Sequence, residues 1–401
     1  MSAPVGGSAV GGRAVGGSAI RGRRLPSLGD PLRRAWDQLP TWVRIVGVLM
    51  VVAVLFFLPV INPAGISTET FGNVNFPLTM ADFARTALVA LGLNVVVGLA
   101  GLLDLGYIGF FAVGAYVVAV LSSPDSTLEF KLAWLACVPI AMVVTALSGV
   151  LLGLPTLRLR GDYLAIVTLG FGEIVRLLAD NVGPLKGQSG FESIAFPVVG
   201  VSAERPQGFF AQGNQVPPVT LGTAWYWLGF VLCVVVLLVV RNLERSRVGR
   251  AWVALREDED AAEIMGVATF SFKLRAFAFG AAIGGLAGAM FVGQLQFVNN
   301  GKFDVLSSIL FVAAVVIGGQ GNKVGVIIGA FLITYIPAWF NNYADYKFLF
   351  FGIILLVVML FRPQGILPAR HTLIGVNAPN VTSDVVLVED QSGSPSQQVN
   401  L

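Results

Sequence analysis

A charged island interrupts this apolar chain: residues 241–275 read RNLERSRVGRAWVALREDEDAAEIMGVATFSFKLR. The island carries seven Lys/Arg and six Asp/Glu, and apolar runs long enough to cross a membrane flank it on both sides. A charged segment held between two such runs is more than a tether. We therefore expect it to be a working part of the protein.

The composition places the whole chain in the membrane class. Of its 401 residues 55% are hydrophobic and 12% charged, whereas a soluble domain of this size is normally about a quarter charged. Cys137 and Cys233 fall inside apolar runs and indicate buried small hydrophobes rather than a disulfide. His371 is the sole histidine, which argues against a His-based catalytic triad or a His-ligated zinc site. The sequence predicts no catalytic, cofactor-binding or metal-binding residues.

Ten apolar runs follow one another along the chain, and a helix needs about 20 residues to cross the hydrocarbon core. The runs 163–178 and 306–319 are short, which is compatible with a tilted, re-entrant or broken helix. The sequence predicts an all-α, polytopic membrane protein with about ten transmembrane helices, in a range of eight to eleven. The runs are 43–61, 83–103, 105–121, 132–154, 163–178, 225–240, 276–298, 306–319, 324–340 and 347–361.

Composition also divides the chain into three parts. Residues 1–40 are rich in Gly, Ser and Arg and cannot bury a core, so we expect a disordered basic N-terminal tail. Residues 41–368 form the predicted transmembrane domain, and residues 369–401 a disordered polar C-terminal tail. The first apolar run begins too late for a secretory signal, so we expect it to remain uncleaved.

The basic residues predict an orientation. Ten spans with the N-terminus inside place 19 of the 26 Lys/Arg in cytoplasmic segments and five outside, with Arg44 at the start of the first run counted with the N-terminal tail. Both termini and the loop 241–275 are therefore expected to be cytoplasmic.

The middle of the charged island has the pattern of a short helix over residues 257–265. Acidic residues from Glu257 to Asp260 suit its positive N-terminal end, and Gly266 suits its C-terminal stop. Ala261 and Ala262 would give it a low surface that another protein can approach closely. The alternative is a solvated charged loop, which would need neither the alanine pair nor the glycine.

Small residues recur at helical spacing in two later runs. Gly280, Gly284 and Gly288 fall every fourth residue, and Gly325 and Gly329 repeat the pattern. Such a face allows close helix packing, and either static packing or a moving interface would use it.

Two charged residues fall within the run 163–178. Each charge costs about 2.5–3.5 kcal/mol at mid-membrane on insertion scales, so Glu173 and Arg176, at i and i+3, form a candidate intramembrane ion pair. A role in gating or in the transport pathway is the alternative. Asp104 lies in the very short break 101–107, which must be covered by protein or lie at the membrane interface.

The chain lacks a phosphate-binding loop of its own. Residues 318–323, GGQGNK, do not end in the Gly-Lys-Ser/Thr that positions the lysine and the magnesium ion. Any nucleotide must be handled by a separate subunit.

Four segments resemble branched-chain amino acid ABC permeases of the LivM type. They are GLAGLLDLGYIGFFAVGAY at 98–116, RLRGDYLAIVTLGFGEIVRLL at 158–178, GRAWVALREDEDAAEIMG at 249–266 and RPQGILP at 362–368. The resemblance extends over about 83–368. It implies a permease domain at 41–368 whose loop 241–275 docks onto an ATPase, with coupling residues Gly249, Arg250, Arg256, Asp260, Ala261, Ala262 and Gly266. The importer docking motif usually has Glu where this chain has Asp260.

The resemblance also implies partners and a location. It predicts a second permease subunit of the LivH type, two cytoplasmic ATPase subunits that bind the ATP, and a periplasmic or lipid-anchored substrate-binding protein. The location would be the bacterial inner membrane, in contact with lipid and without nucleic acid.

The resemblance implies that the cargo is a neutral aliphatic amino acid such as leucine, isoleucine or valine. Apolar spans suit such a zwitterion better than a phosphate or a cation. A urea or short-amide importer is the alternative within the same architecture. An ion-coupled carrier acting alone is less favoured, because the spans offer few ionisable relays.

Overall fold

The computed structural model describes residues 41–61, 74–157, 162–201, 208–212, 214, 219–339, 349, 352, 353, 356, 360 and 365–367. The predicted tails 1–40 and 369–401 lie outside these residues, as does most of the tenth apolar run, 347–361.

The described part of the chain is built from α-helices, so the all-α prediction is confirmed. Extended backbone pairs there only in an isolated antiparallel bridge between Phe191 and Val298. The helices are α1 (Thr41–Ile61), α2 (Phe76–Leu93), α3 (Tyr107–Ser122), α4 (Trp134–Thr156), α5 (Asp162–Asn181), α6 (Leu221–Arg245), α7 (Arg247–Glu257), α8 (Glu259–Ile264), α9 (Thr269–Leu295), α10 (Val305–Gly318) and α11 (Lys323–Trp339).

Nine of these helices coincide with nine of the ten predicted runs, and the short runs 163–178 and 306–319 are the continuous helices α5 and α10. Five helical segments of the described part are long and apolar enough to cross a membrane. They are Phe76–Leu99, Trp134–Thr156, Leu221–Arg245, Thr269–Leu295 and Asn300–Gly318.

Helix α9 lies at the centre of the packing, against α2, α3 and α4. In its most apolar part 83% of the residues are buried, as in the segment Phe76–Leu99, whereas only 22% are buried in α4. A helix that is apolar all round and buried all round belongs to the core. Helix α9 is therefore the central element of the described core.

The glycines singled out in α9 and α11 all lie at close helix contacts within this chain. A Cβ on Gly288 would lie against the backbone of Phe111 and Ala115 of α3, and one on Gly329 against the backbone of Ala314 and Gly318 of α10. A Cβ on Gly280 would lie close to Val96 and Gly92, one on Gly284 close to the side chains of Phe110 and Tyr107, and one on Gly325 close to the backbone of Gly318. These stripes accordingly permit close packing inside the subunit.

Several hydrogen bonds between helices end on main-chain carbonyls. The hydroxyl of Tyr107 donates to Gly280 O at 2.6 Å, and the indole N–H of Trp134 donates to Ala289 O at 3.0 Å. A helical carbonyl has two lone pairs, so it can accept such a bond beside its own helical one.

The break between α2 and α3 is covered by protein. The end of α2 widens into a π-helical turn, Asn94–Leu99, and the chain then crosses to Tyr107 without regular structure. Asp104 is fully buried and accepts from Gly106 N at 2.9 Å, while Thr168 Oγ1 of α5 accepts from Leu105 N at 3.1 Å. Ser308 of α10 donates to Leu105 O. Neighbouring helices thus satisfy backbone groups that lipid could not.

Candidate functional site

The charged island folds into a pair of short helices joined by a single residue. Ser246 begins α7, its Oγ accepting from Val248 N at 3.1 Å and Gly249 N at 3.4 Å. Asp258 ends α7 and begins α8, where its carboxylate accepts from Ala261 N at 2.9 Å. The sequence predicted one helix over 257–265; the structure places its start at Glu259 and adds α7 before it. Helix α7 was missed because most of its residues are charged or small.

Gly266 terminates α8 in the left-handed conformation, with φ +84°. Gly266 N donates to Glu263 O at 2.9 Å and Val267 N donates to Ala262 O at 3.0 Å, the two bonds of a Schellman motif. No atom outside its neighbours lies within 4 Å of the position of a Cβ on this glycine. Gly266 is therefore needed for its backbone conformation, and space beside it is open.

The tip of α8 is an exposed apolar knob. Ile264 is 86% exposed and Met265 83% exposed, the highest values among the large hydrophobic residues that the structure describes. Asp260 and Ala261 are also exposed. Ala262, by contrast, is 5% exposed, so its small side chain packs inside this chain and adds nothing to an outer surface. The prediction that Ala262 is a coupling residue therefore stays a prediction, and Ile264 and Met265 were not among the residues predicted from the sequence.

Two contacts fix the helix pair to the start of α9. Trp252 is buried and its indole N–H donates to Phe272 O at 2.8 Å. Lys273 is buried as well, and its ammonium lies 2.5 Å from the carboxylate of Glu259 in α8. Each short helix therefore has its own attachment to the central helix.

A third contact reaches the π-helical turn at the end of α2. Arg256 of α7 donates to Gly98 O, and its side chain passes Gly101, where a Cβ would lie 3.0 Å from Arg256 Cγ. Gly101 has φ +71° and is the first residue of the break. The helix pair is thus in contact with the same irregular segment that leads to Asp104.

The C-terminal end of α6 is linked to the start of α11 by an ion pair. Glu244 forms an ion pair with Lys323, and Gly249 fits so closely beside Glu244 that a side chain there would meet its backbone. Arg250, in contrast, is exposed and donates to Arg245 O at 3.1 Å. Gly249 is therefore a packing residue, and Arg250 lies on the outer surface.

The segment 365–367 closes the same end of the bundle. Ile366 N donates to Ile317 O at 2.8 Å, and Asn322 donates to Leu367 O at 3.0 Å. Gly321 N in turn donates to Asn94 Oδ1 at 2.8 Å, which links this turn to the π-helical turn of α2.

Glu173 and Arg176 lie on α5, where Arg176 Nε donates to the carboxylate of Glu173 at 2.9 and 3.0 Å. Their side chains are 34% and 30% exposed on the surface of this chain. An exposed ion pair at this point of an apolar helix is costly in lipid, which favours a protein or water surface over this face.

A second polar cluster, which the sequence analysis did not identify, joins Asp82 and Arg85 of α2 to Gln294 of α9. Residues 82 and 294 are far apart in the chain, so no local pattern indicates this contact. Among the described residues, no group of three or more His, Cys, Asp or Glu side chains is arranged to hold a metal ion.

Comparison with known proteins gives a consistent result. The family model described as branched-chain amino acid transport system / permease component matches residues 78–361. The chain is 41% identical over 292 residues to the high-affinity branched-chain amino acid transport system permease protein LivM of Salmonella typhimurium (strain LT2) and to that of Escherichia coli (strain K12). Each alignment covers 70% of this chain and 67% of the relative.

A more distant relative is the probable branched-chain amino acid transport permease protein LivM of Methanocaldococcus jannaschii. It is 22% identical over 334 residues, which cover 75% of this chain and 88% of the relative. No solved structure matches the chain.

Proposed function

The chain belongs to the family of branched-chain amino acid transport system permease components, and we propose that the helix pair α7–α8 couples it to a separate ATPase. The protein is a multi-pass membrane permease subunit of an ABC importer for branched-chain amino acids and is not itself an enzyme. What remains to be assigned is how this subunit receives the work of ATP hydrolysis.

The exposed knob Ile264–Met265 carries the proposal. Both apolar side chains are more than four-fifths exposed at the tip of a fixed helix. Such a pair is typical of a protein contact, because burying apolar surface away from water lowers the free energy. Asp260 and Ala261 lie beside them on the same exposed surface. A groove on the ATPase that receives this knob would bury both side chains.

The attachments of the helix pair support transmission of movement. Trp252 and Glu259 connect it to α9, and Arg256 connects it to the irregular end of α2. A displacement of the knob would therefore move the start of the central helix and the break before α3 together. Both elements reach the interior of the bundle.

The proposed complex contains this subunit, a second permease of the LivH type, two ATPase subunits and a periplasmic or lipid-anchored binding protein. In this arrangement the helix pair and both termini face the cytoplasm, and the membrane is the bacterial inner membrane. The excess of Lys/Arg in the segments on that side supports this orientation.

The test is replacement of the knob, Ile264→Ser with Met265→Ser, in the full complex. We expect the ATPase to be lost on purification and substrate-stimulated ATP hydrolysis to fall at least about tenfold, since burying each such side chain contributes about 1.5–3 kcal/mol. The amount of permease in the membrane should not change, because both side chains are exposed in this subunit.

The matched control is Val324→Ser, which removes a 60% exposed apolar side chain from the start of α11. It should leave purification and hydrolysis as in the unchanged complex. If the knob variant still retains its ATPase with unaltered coupled hydrolysis, α8 is not the coupling element.

A further inference from the structure

A small cavity lies between α2, α3, α9, α10 and α11, far from the helix pair. Gln294, next to it, is 21 residues along α9 from Lys273, which corresponds to roughly 30 Å of helix. The cavity volume is about 220 Å³, below the usual range for drug-sized ligands and suited to a smaller molecule. Its lining residues are Arg85, Thr86, Ile108, Phe111, Phe291, Lys302, Ser307, Leu310, Phe311, Ile333 and Thr334.

Arg85 is held in one orientation at the wall of this cavity. Its Nη1 donates to Gln294 Oε1 at 3.0 Å, its Nη2 lies 3.2 Å from Asp82 Oδ1, and its guanidinium lies 4.9 Å from the ring centre of Phe291. The buried Gln294 also donates to Asp82 Oδ1 at 2.9 Å. A guanidinium has five N–H groups, and Gln294 and a single oxygen of Asp82 do not use all of them. Arg85 therefore keeps N–H groups for a further acceptor.

The charged side chains that line the cavity are both cations, Arg85 and Lys302. Lys302 lies at its rim, and among the described residues no carboxylate lies within ion-pair distance of its ammonium. The nearby Asp304 caps α10 through Oδ1, which accepts from Ser307 N at 3.0 Å and from Ser307 Oγ at 2.5 Å. Arg85 and Lys302 both line the cavity, whereas neither Asp82 nor Asp304 is among its lining residues.

We propose that this cavity is a binding site for the passing amino acid, in which Arg85 and Lys302 receive its carboxylate and the aromatic and aliphatic walls receive its side chain. A carboxylate that leaves water needs a fixed, hydrogen-bonding cation, and guanidinium is well suited to it. Phe111, Phe291 and Leu310 contribute apolar surface to the same cavity. Urea has no carboxylate and would not use the pair of cations.

This proposal rests on the proposed function, because it takes the cargo to be an amino acid that passes through this subunit. It adds a location for the cargo and a chemical preference for a free carboxylate. The cavity lies at the end of α9 away from the knob, which in the proposed orientation is the outer end.

The test uses the assembled importer with Thr334→Cys, which introduces a thiol into the cavity wall. Cys137 and Cys233 are buried, so the new thiol should dominate modification of this chain by a small methanethiosulfonate reagent. We expect millimolar leucine to slow the modification and leucinamide, which lacks the carboxylate, not to slow it. Adding Arg85→Gln should raise the leucine concentration required at least about tenfold, the factor for losing a charge-assisted hydrogen bond.

The matched control for the loss of charge is Lys131→Gln, an exposed lysine that does not line the cavity. It should leave protection by leucine unchanged. Equal protection by leucinamide, or protection that survives Arg85→Gln, overturns the carboxylate site. Absence of protection in a complex that still imports leucine overturns the cavity as part of the pathway, whereas a complex that imports no branched-chain amino acid overturns the proposed function itself.

Discussion

Lys273 shows how a single buried charge secures the attachment of α8. Its side chain is 7% exposed, and Glu259, 33% exposed, is its partner at 2.5 Å. We expect Glu259→Gln to lower the free energy of unfolding of this subunit by about 1–3 kcal/mol, because it leaves the ammonium buried without its counter-charge. The loss is smaller than for a fully buried pair, since Glu259 is partly exposed. Adding Lys273→Met should restore part of the loss. Unfolding in detergent measures both, with the exposed Glu263→Gln as control; strictly additive losses would contradict the pairing.

At the scale of elements, the contact between α9 and α3 depends on a missing side chain. A Cβ on Gly288 would meet the backbone of Phe111 and Ala115, which cannot move aside as a side chain could. Gly288→Ala should therefore lower stability by about 1–3 kcal/mol through overpacking. Gly170→Ala in α5, where nothing lies within 4 Å, should be neutral or raise stability by up to about 1 kcal/mol through helix propensity. Thermal unfolding in detergent distinguishes them, and equal effects would refute the packing argument.

For the whole molecule, the orientation in the membrane is the property to test. Lys131 and Arg241 are both exposed, and the proposed topology places them on opposite sides of the membrane. In intact cells an impermeant thiol reagent should label Lys131→Cys and leave Arg241→Cys unlabelled until the cells are opened. The reverse pattern would invert the topology. Ser246 is less suitable for this purpose, because its hydroxyl caps α7.

The sequence indicated the long helices well and the contacts between them poorly. The run 276–298 is apolar except for Gln294 and Gln296, so hydropathy alone locates α9. Helix α7 was not predicted, because a charged helix that packs through Trp252 and Arg256 contains no apolar run. That Ala262 faces inward while Ile264 faces outward depends on the position of α9, which local sequence does not contain. The same holds for Arg85 and Gln294, which meet only after the bundle has formed.

The main-chain carbonyls that receive hydrogen bonds from Tyr107, Trp134 and Trp252 have a consequence for evolutionary drift. Each of these bonds requires the side chain of the donor residue. It does not use the side chain of the acceptor residue, which contributes only its main-chain carbonyl. A substitution at Phe272 or Ala289 keeps the accepting carbonyl, whereas replacement of an aromatic donor removes the hydrogen bond. Descendants of this chain should therefore diverge unevenly, with one partner of each contact retained and the other free to vary within its space.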